Sequence, residues 1–323
     1  MKIIKTFFWR VAFLIFCPTA INASGGHEKV TVLDSINVDG IWRTFEYHVP
    51  QYPADNPRLI LVLHGDAMTT EFMQQLTGHE FNRLADKNGN TIVVYPQGHK
   101  NYWNDCINQS SIETKSRNLN DVLFVKSVVQ LMERRYNIDR KNVFAAGYFN
   151  GGNMCFKLAK EVPDLFKGFV VIGANMPINA VDDRTSNEQP VSLMIISDTA
   201  GAINPFKGAE NTSPHEFARG EFMSTSETLD YWLKLSGHTE KSPNDPALKS
   251  IEKNNSVALR YDYLSKEEGK RISLLKIVKG GYPFPNPHFD QWPKRKGYNQ
   301  GDINIPETVV AFFYRLQYEQ LIK

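Results

Sequence analysis

The 323-residue chain predicts an α/β fold, a mostly parallel doubly wound sheet with helices packed on both faces. Three observations carry that expectation. Short apolar runs recur along the chain with amphipathic helical patterns between them. Most of these runs are continuously apolar, which is how strands buried on both faces of a parallel sheet read. One run, residues 142–146, leads straight into a glycine-bracketed turn and then a helix-like segment.

Taken in order, residues 31–37 and 43–49 alternate polar and apolar side chains, the second through Phe45, Tyr47 and Val49, as an edge hairpin would. Residues 58–64 (RLILVLH), 91–96 (TIVVYP), 142–146 (NVFAA), 167–173 (KGFVVIG), 191–197 (VSLMIIS) and 272–278 (ISLLKIV) read as strands. Asp121 is placed to cap a helix whose Val122, Val125, Val129 and Met132 share one face. Ser224 and Glu227 have capping-box spacing ahead of Leu229, Trp232 and Leu233. A helix over 305–321 closes the chain. The polar stretch 237–255 reads as a surface excursion, so residues 24–323 form a single domain.

Composition narrows the function. With 41% hydrophobic and 22% charged residues the chain can bury a core. A formal charge of +2 gives no electrostatic reason to expect nucleic acid. Residues 1–23 carry Lys2, Lys5 and Arg10, then an apolar run over 11–16, then small residues around Ala20 and Ala23, the layout of a secretory signal peptide. The run is far shorter than the roughly 20 residues of a membrane span, and no later segment is long and apolar enough for one. The protein is therefore expected to be secreted or periplasmic. Removing this segment takes away three positive charges and no acid, so the net charge falls from +2 to −1. It also removes Cys17 and leaves Cys106 and Cys155, a candidate disulfide in an oxidising compartment. Whether their Cα atoms come within the required range of about 4.4 to 6.8 Å is left open by the sequence.

The most informative segment is the turn after 142–146. Gly147 and Gly151 stand two residues either side of Phe149, the spacing of G-x-S-x-G. In that motif the glycines relieve a strained turn that lifts a central nucleophile to the top of the sheet. Phenylalanine has no proton to lose and no lone pair to attack with, so acyl transfer cannot run through this position.

Here the chain resembles the secreted α/β-hydrolases that include poly(3-hydroxybutyrate) depolymerases and feruloyl esterases. The likeness spans nearly all of the mature chain. It runs through Leu63, His64 and Gly65 (L-H-G), then Tyr95, Pro96 and Gly98 with Trp103 and Asn104 (Y-P-x-G and W-N), then Asp121 to Val125 (D-V-x-F-V). It continues through Tyr136 to Asp139 (Y-x-I-D), Gly147 to Gly152 (G-x-x-N-G-G) and Pro163 to Phe166. The resemblance implies an α/β-hydrolase fold and a Ser, Asp, His triad in that chain order.

Carried over position by position, each triad member is replaced. Phe149 stands for the serine. Gly201, in the run from Asp198 to Phe206, stands for the acid, and Tyr282, after Gly280 and Gly281, stands for the histidine. Asp198 and His288 lie three and six residues from the lost acid and base and are the available substitutes. No shift restores the serine, because the glycine bracket sets the register. Three replacements at positions that act as a unit imply lost catalysis. Asp66, directly after the L-H-G run, adds a carboxylate where it would repel a developing oxyanion.

No histidine pair has metal-ligand spacing, so no metal is expected, and no phosphate-cradling glycine motif implies a nucleotide or other cofactor. His64 is expected to brace its loop. Trp103, Tyr148, Phe149, Tyr282 and Phe284 should converge on the carboxyl edge of the sheet, either plugging a vestigial pocket or making a stacking surface. The candidate ligand-binding set is His64, Gly65, Asp66, Trp103, Tyr148, Phe149, Asn150 and Tyr282. At Phe149 a relaxed turn, or a ring held against Tyr282, is expected once catalysis no longer maintains strain. The sequence thus points to an exported esterase scaffold that acts by binding a small-molecule, polyester or carbohydrate-phenolic ligand, or a protein partner. Two alternatives stay open: an ester hydrolase with a non-standard catalytic set, and an interaction component of the cell envelope.

Overall fold

A computed structural model describes residues 31–107, 113–178, 189–199, 206–207, 209–210, 221–238, 245–253, 256–265, 269–278 and 303–318. The strands are β1 (Thr31–Val38), β2 (Ile41–His48), β3 (Arg58–Leu63), β4 (Thr91–Pro96), β5 (Val143–Tyr148), β6 (Gly168–Ile172), β7 (Leu193–Asp198), β8 (Ala209–Glu210), β9 (Glu221–Phe222), β10 (Asp245–Lys253), β11 (Ser256–Leu264) and β12 (Arg271–Val278). The helices are α1 (Thr70–Leu76), α2 (Glu80–Asn88), α3 (Glu113–Ser116), α4 (Asp121–Tyr136), α5 (Asn150–Glu161), α6 (Thr225–Leu235) and α7 (Ile305–Tyr318).

Ten strands make one sheet in the order β1-β2-β4-β3-β5-β6-β7-β12-β11-β10. From β4 to β12 every neighbouring pair is parallel. The outer strands at both ends pair antiparallel. This is the α/β-hydrolase fold, as expected.

β3 shows why the continuously apolar runs belong inside. Leu59, Leu61 and Leu63 point to one face, where α4, α5 and α6 cover them with Val125, Phe156 and Trp232. Ile60 and Val62 point to the other, against Met73 of α1, Phe81 of α2 and Phe313 of α7. Each such side chain contributes about 1.5 to 3 kcal/mol of burial.

The expected strands all form, within two residues at their starts and ends. The capping box at Ser224 and Glu227 is made in both directions. Three expectations need correction. The helix at 121 is capped by Asn120, whose Oδ1 accepts from Leu123 N, and Asp121 is its first residue. The stretch read as a surface excursion supplies β10, the outermost strand. Two register shifts against β11 and Pro246 near its start suit an edge strand, where no further neighbour needs the proline's missing N–H. Finally, no disulfide joins Cys106 and Cys155. Cys155 is buried in α5, where burial pushes its thiol pKa up, and Cys106 Sγ donates to Asn153 O.

Candidate functional site

The register of the sheet brings the motif residues to one edge. Leu63 pairs with Gly147, and Tyr148 with Ile172, so His64 and Phe149 follow adjacent strands at the carboxyl ends. That edge is where α/β sheets bind ligands.

The elbow keeps its strained form. Phe149 has φ 46° and ψ −111°, a region that side chains larger than glycine rarely adopt. The expected relaxed turn is therefore not what the chain forms. The surroundings over-determine the conformation. Phe149 N donates to Ile172 O on β6 at 2.9 Å, and Phe149 O accepts from Asn153 N at 2.9 Å. Gly147 and Gly151 permit close backbone approach, the latter against Leu63 and His64 carbonyls that a Cβ would meet at 2.4 and 2.5 Å. The backbone on either side sets the turn, whatever its central side chain.

That side chain is not offered to solvent. Phe149 is 7% exposed, and its ring meets Tyr148 edge-on with centroids 4.4 Å apart. Tyr148 is buried and packs close enough to Gly65 that a Cβ there would meet its Cδ1 at 3.1 Å. Trp103 is also buried, with its indole Nε1 donating to His64 O at 3.0 Å. Trp103 and Tyr148 thus present no face for stacking, and the aromatic residues fill this corner. Tyr282 and Phe284 lie outside the described residues.

His64 braces the loop. Its Nε2 accepts from Gly98 N at 2.8 Å, which leaves the proton on Nδ1 to donate to Gly65 O at 2.7 Å. Complete burial lowers its pKa to about 4, although the Gly65 bond opposes the shift. The imidazole is therefore neutral at pH 7, with both nitrogens engaged. Asp66 is half-buried and follows directly, in a turn whose Ala67 has φ 54°.

Asn150 is a strut. Its Oδ1 accepts from Trp103 N at 2.7 Å and its Nδ2 donates to Asp105 Oδ2. Asp105 Oδ1 in turn accepts from Ile107 N. Asn104 N reaches Asp121 Oδ2 at 2.7 Å, and Asp121 pairs with the buried Arg43 at 2.6 Å. The aromatic loop is thereby tied to both α4 and α5. Gln97 and Asp105 escaped the sequence reading. Gln97 Nε2 lies 3.1 Å from His64 Nε2, and its Oε1 accepts from Thr70 N. The polar residues beside Tyr95-Pro96 and Trp103-Asn104 were the available signal.

Of the substitute catalytic residues, Asp198 ends β7 at the same carboxyl edge, two strands from β5. It is buried. His288 and Gly201 lie outside the described residues, and Phe149 and Asp198 follow or end strands at the same edge, with β6 between β5 and β7.

No established family profile matches the chain. Among curated proteins it is 24% identical over 294 residues to "Putative esterase NocK" of Nocardia uniformis subsp. tsuyamanensis, covering 88% of this chain and 83% of that one. It is 28% identical over 173 residues to a poly(3-hydroxybutyrate) depolymerase of Ralstonia pickettii, covering 51% of this chain and 34% of the relative. Among solved structures, an acetyl xylan esterase from Aspergillus awamori superposes with a TM-score of 0.50 at 14% identity, over 76% of this chain and 92% of that one. The chain thus has the α/β-hydrolase fold and is similar in sequence to esterases.

Proposed function

We propose that this protein is an exported, non-hydrolytic relative of esterases that acts through binding at or around the former substrate edge. The observation that carries this reading is Phe149 at the nucleophile position of an otherwise intact elbow, with its ring buried against Tyr148. The ligand class is that of the relatives' substrates, a polyester or a carbohydrate-linked aromatic ester, or a protein that recognises the same edge. Filled aromatic packing at Trp103, Tyr148 and Phe149 leaves recognition at this edge to Asp66 and its loop.

A second reading is a carboxylic-ester hydrolase with a non-standard catalytic set. The similarity to an esterase over 88% of the chain supports it, as does a buried carboxylate at Asp198 on the correct edge. Turnover of short-chain aryl esters separates the two. The binding reading expects hydrolysis at the uncatalysed rate. A rate above background that survives repurification and is lost in Asp198→Asn would establish the hydrolase.

A further inference from the structure

The hairpin of β1 and β2 is packed on one face and open on the other. Val38, Phe45 and Tyr47 turn inward and join the core shared with α4. Leu33, Ser35 and Asn37 of β1 and Trp42 and Thr44 of β2 alternate with these inward residues and are exposed. The register sets the outward side chains in rows: Trp42 stands opposite Asn37, Thr44 opposite Ser35, and Glu46 opposite Leu33. Glu46 is engaged at the far end, where Thr70 Oγ1 and Gln74 Nε2 of α1 donate to its carboxylate.

Trp42 is 69% exposed. Among the described residues its ring meets no other ring and no cation, and its indole Nε1 makes no hydrogen bond. The Ser35 and Thr44 hydroxyls and Asn37 Nδ2 are likewise unengaged there, while Asn37 Oδ1 accepts from Gly40 N at 3.1 Å. The charges of the hairpin are committed on its packed face, Arg43 to Asp121 and Asp34 to Arg135, and Asp39 lies in the turn beyond the rows. Leu33 is set apart from Trp42 by the whole Ser35–Thr44 row, so the apolar part of this face is one indole ring. A protein interface centres on several adjoining apolar side chains, and an ionic ligand needs a counter-charge. This face supplies neither. It offers an aromatic plane bordered by uncharged hydroxyl and amide groups. That suits a sugar, whose C–H face lies against the negative π cloud and whose rim hydroxyls both donate and accept.

We propose that the open face of this hairpin binds a neutral saccharide chain, with Trp42 as the stacking platform and Asn37, Ser35 and Thr44 as the polar partners beside it. Phe45 pairs with Pro96, the last residue of β4, so Trp42 stands about 10 Å beyond the carboxyl end of that strand. The strand order β2-β4-β3-β5 puts the hairpin about 14 Å across the sheet from the elbow. A chain of several sugar units spans that distance and a single sugar does not, so the hairpin acts as an outlying anchor for a polymer. The face stands independently of whether the elbow is hydrolytic.

The test titrates the full chain by calorimetry with xylohexaose and with cellohexaose, and with a linear trimer of 3-hydroxybutyrate as the polyester probe. Saturable binding of at least one hexasaccharide is expected. Trp42→Ala should weaken it by about tenfold or more, and Trp42→Tyr should keep most of it, because a smaller ring still stacks. Ser35→Ala and Thr44→Val should each weaken it several-fold. All four positions are exposed, so the variants should melt with the parent. No saturable binding of either hexasaccharide, or unchanged binding in Trp42→Ala, overturns the proposal. Binding of the trimer alone, lost in Trp42→Ala, overturns it in favour of a polyester. A dimer seen by light scattering and abolished by Trp42→Ala overturns it in favour of a second copy of this chain. The aryl-ester assay reads the elbow and this titration reads the hairpin, so either reading can fail alone.

Discussion

A methyl group on Gly147 would stand 2.0 Å from the carbonyl oxygen of Gly151. That approach is backbone against backbone, so no side-chain rotation relieves it. It holds the elbow in its strained form although the residue at its centre has no nucleophilic chemistry.

Gly147→Ala and Gly151→Ala should each destabilise the protein by about 3 kcal/mol or more, since the added carbon forces β5 away from α5 or α5 away from β3. Urea unfolding followed by circular dichroism checks this. A loss under about 1 kcal/mol would mean that the elbow relaxes easily.

At Phe149 the usual ranking of truncations should reverse. Removing a buried phenyl ring costs about 3 to 5 kcal/mol. Alanine keeps the strain of φ 46°, whereas glycine adopts that conformation freely. Phe149→Gly should therefore be at least as stable as Phe149→Ala, by up to about 1 kcal/mol, in the same denaturation experiment. A glycine variant clearly weaker than alanine would show that the backbone is not strained there.

His64 predicts an acid-side loss of stability. Its native pKa of about 4 lies below the ordinary value near 6.5, so the unfolded chain takes up a proton that the native state refuses. The stabilisation is complete above pH about 6.5 and is lost as pH falls toward 4, by about 3 kcal/mol in all. Unfolding free energies measured between pH 7 and 4 for the parent and for His64→Gln should converge as pH falls. Parallel curves would place the proton elsewhere.

Asn150 should tolerate neither loss nor charge. Asn150→Ala removes the amide that holds Trp103 N and Asp105, at about 1 to 3 kcal/mol. Asn150→Asp sets a second carboxylate against Asp105 and should be the worse variant at pH 7, with the gap narrowing at pH 4 as the pair gains a proton. A pH-independent difference between the two variants would argue against that contact.

Much of this was legible in the residues, and the exceptions have physical causes. The inner strands read correctly because burial on both faces leaves continuous apolar runs such as Leu59 to Leu63. β10 is not legible in the residues because this edge strand carries polar residues such as Asp245, Lys249 and Glu252 and a proline, the composition of a loop. The motif places a phenylalanine between the two glycines, but not the strained backbone that the turn keeps. That strain is set by contacts of Phe149 with Ile172 and Asn153 and by the glycine pair, which are long-range or backbone terms. Asp121 has the residue type of a cap, yet Asn120, one residue earlier, caps the helix and Asp121 pairs with Arg43.

Intact mass after incubation with a fluorophosphonate tests the proposal that this esterase-like chain is non-hydrolytic and carries no activated nucleophile. The parent protein and Phe149→Ser are treated in parallel. No adduct is expected on the parent, and none on the serine variant under the proposed reading, in which Gly201 and Tyr282 stand at the positions of acid and base. One adduct per chain on the parent would contradict it and reveal a working nucleophile elsewhere, while an adduct on Phe149→Ser alone would show that Asp198 or His288 still serves the site.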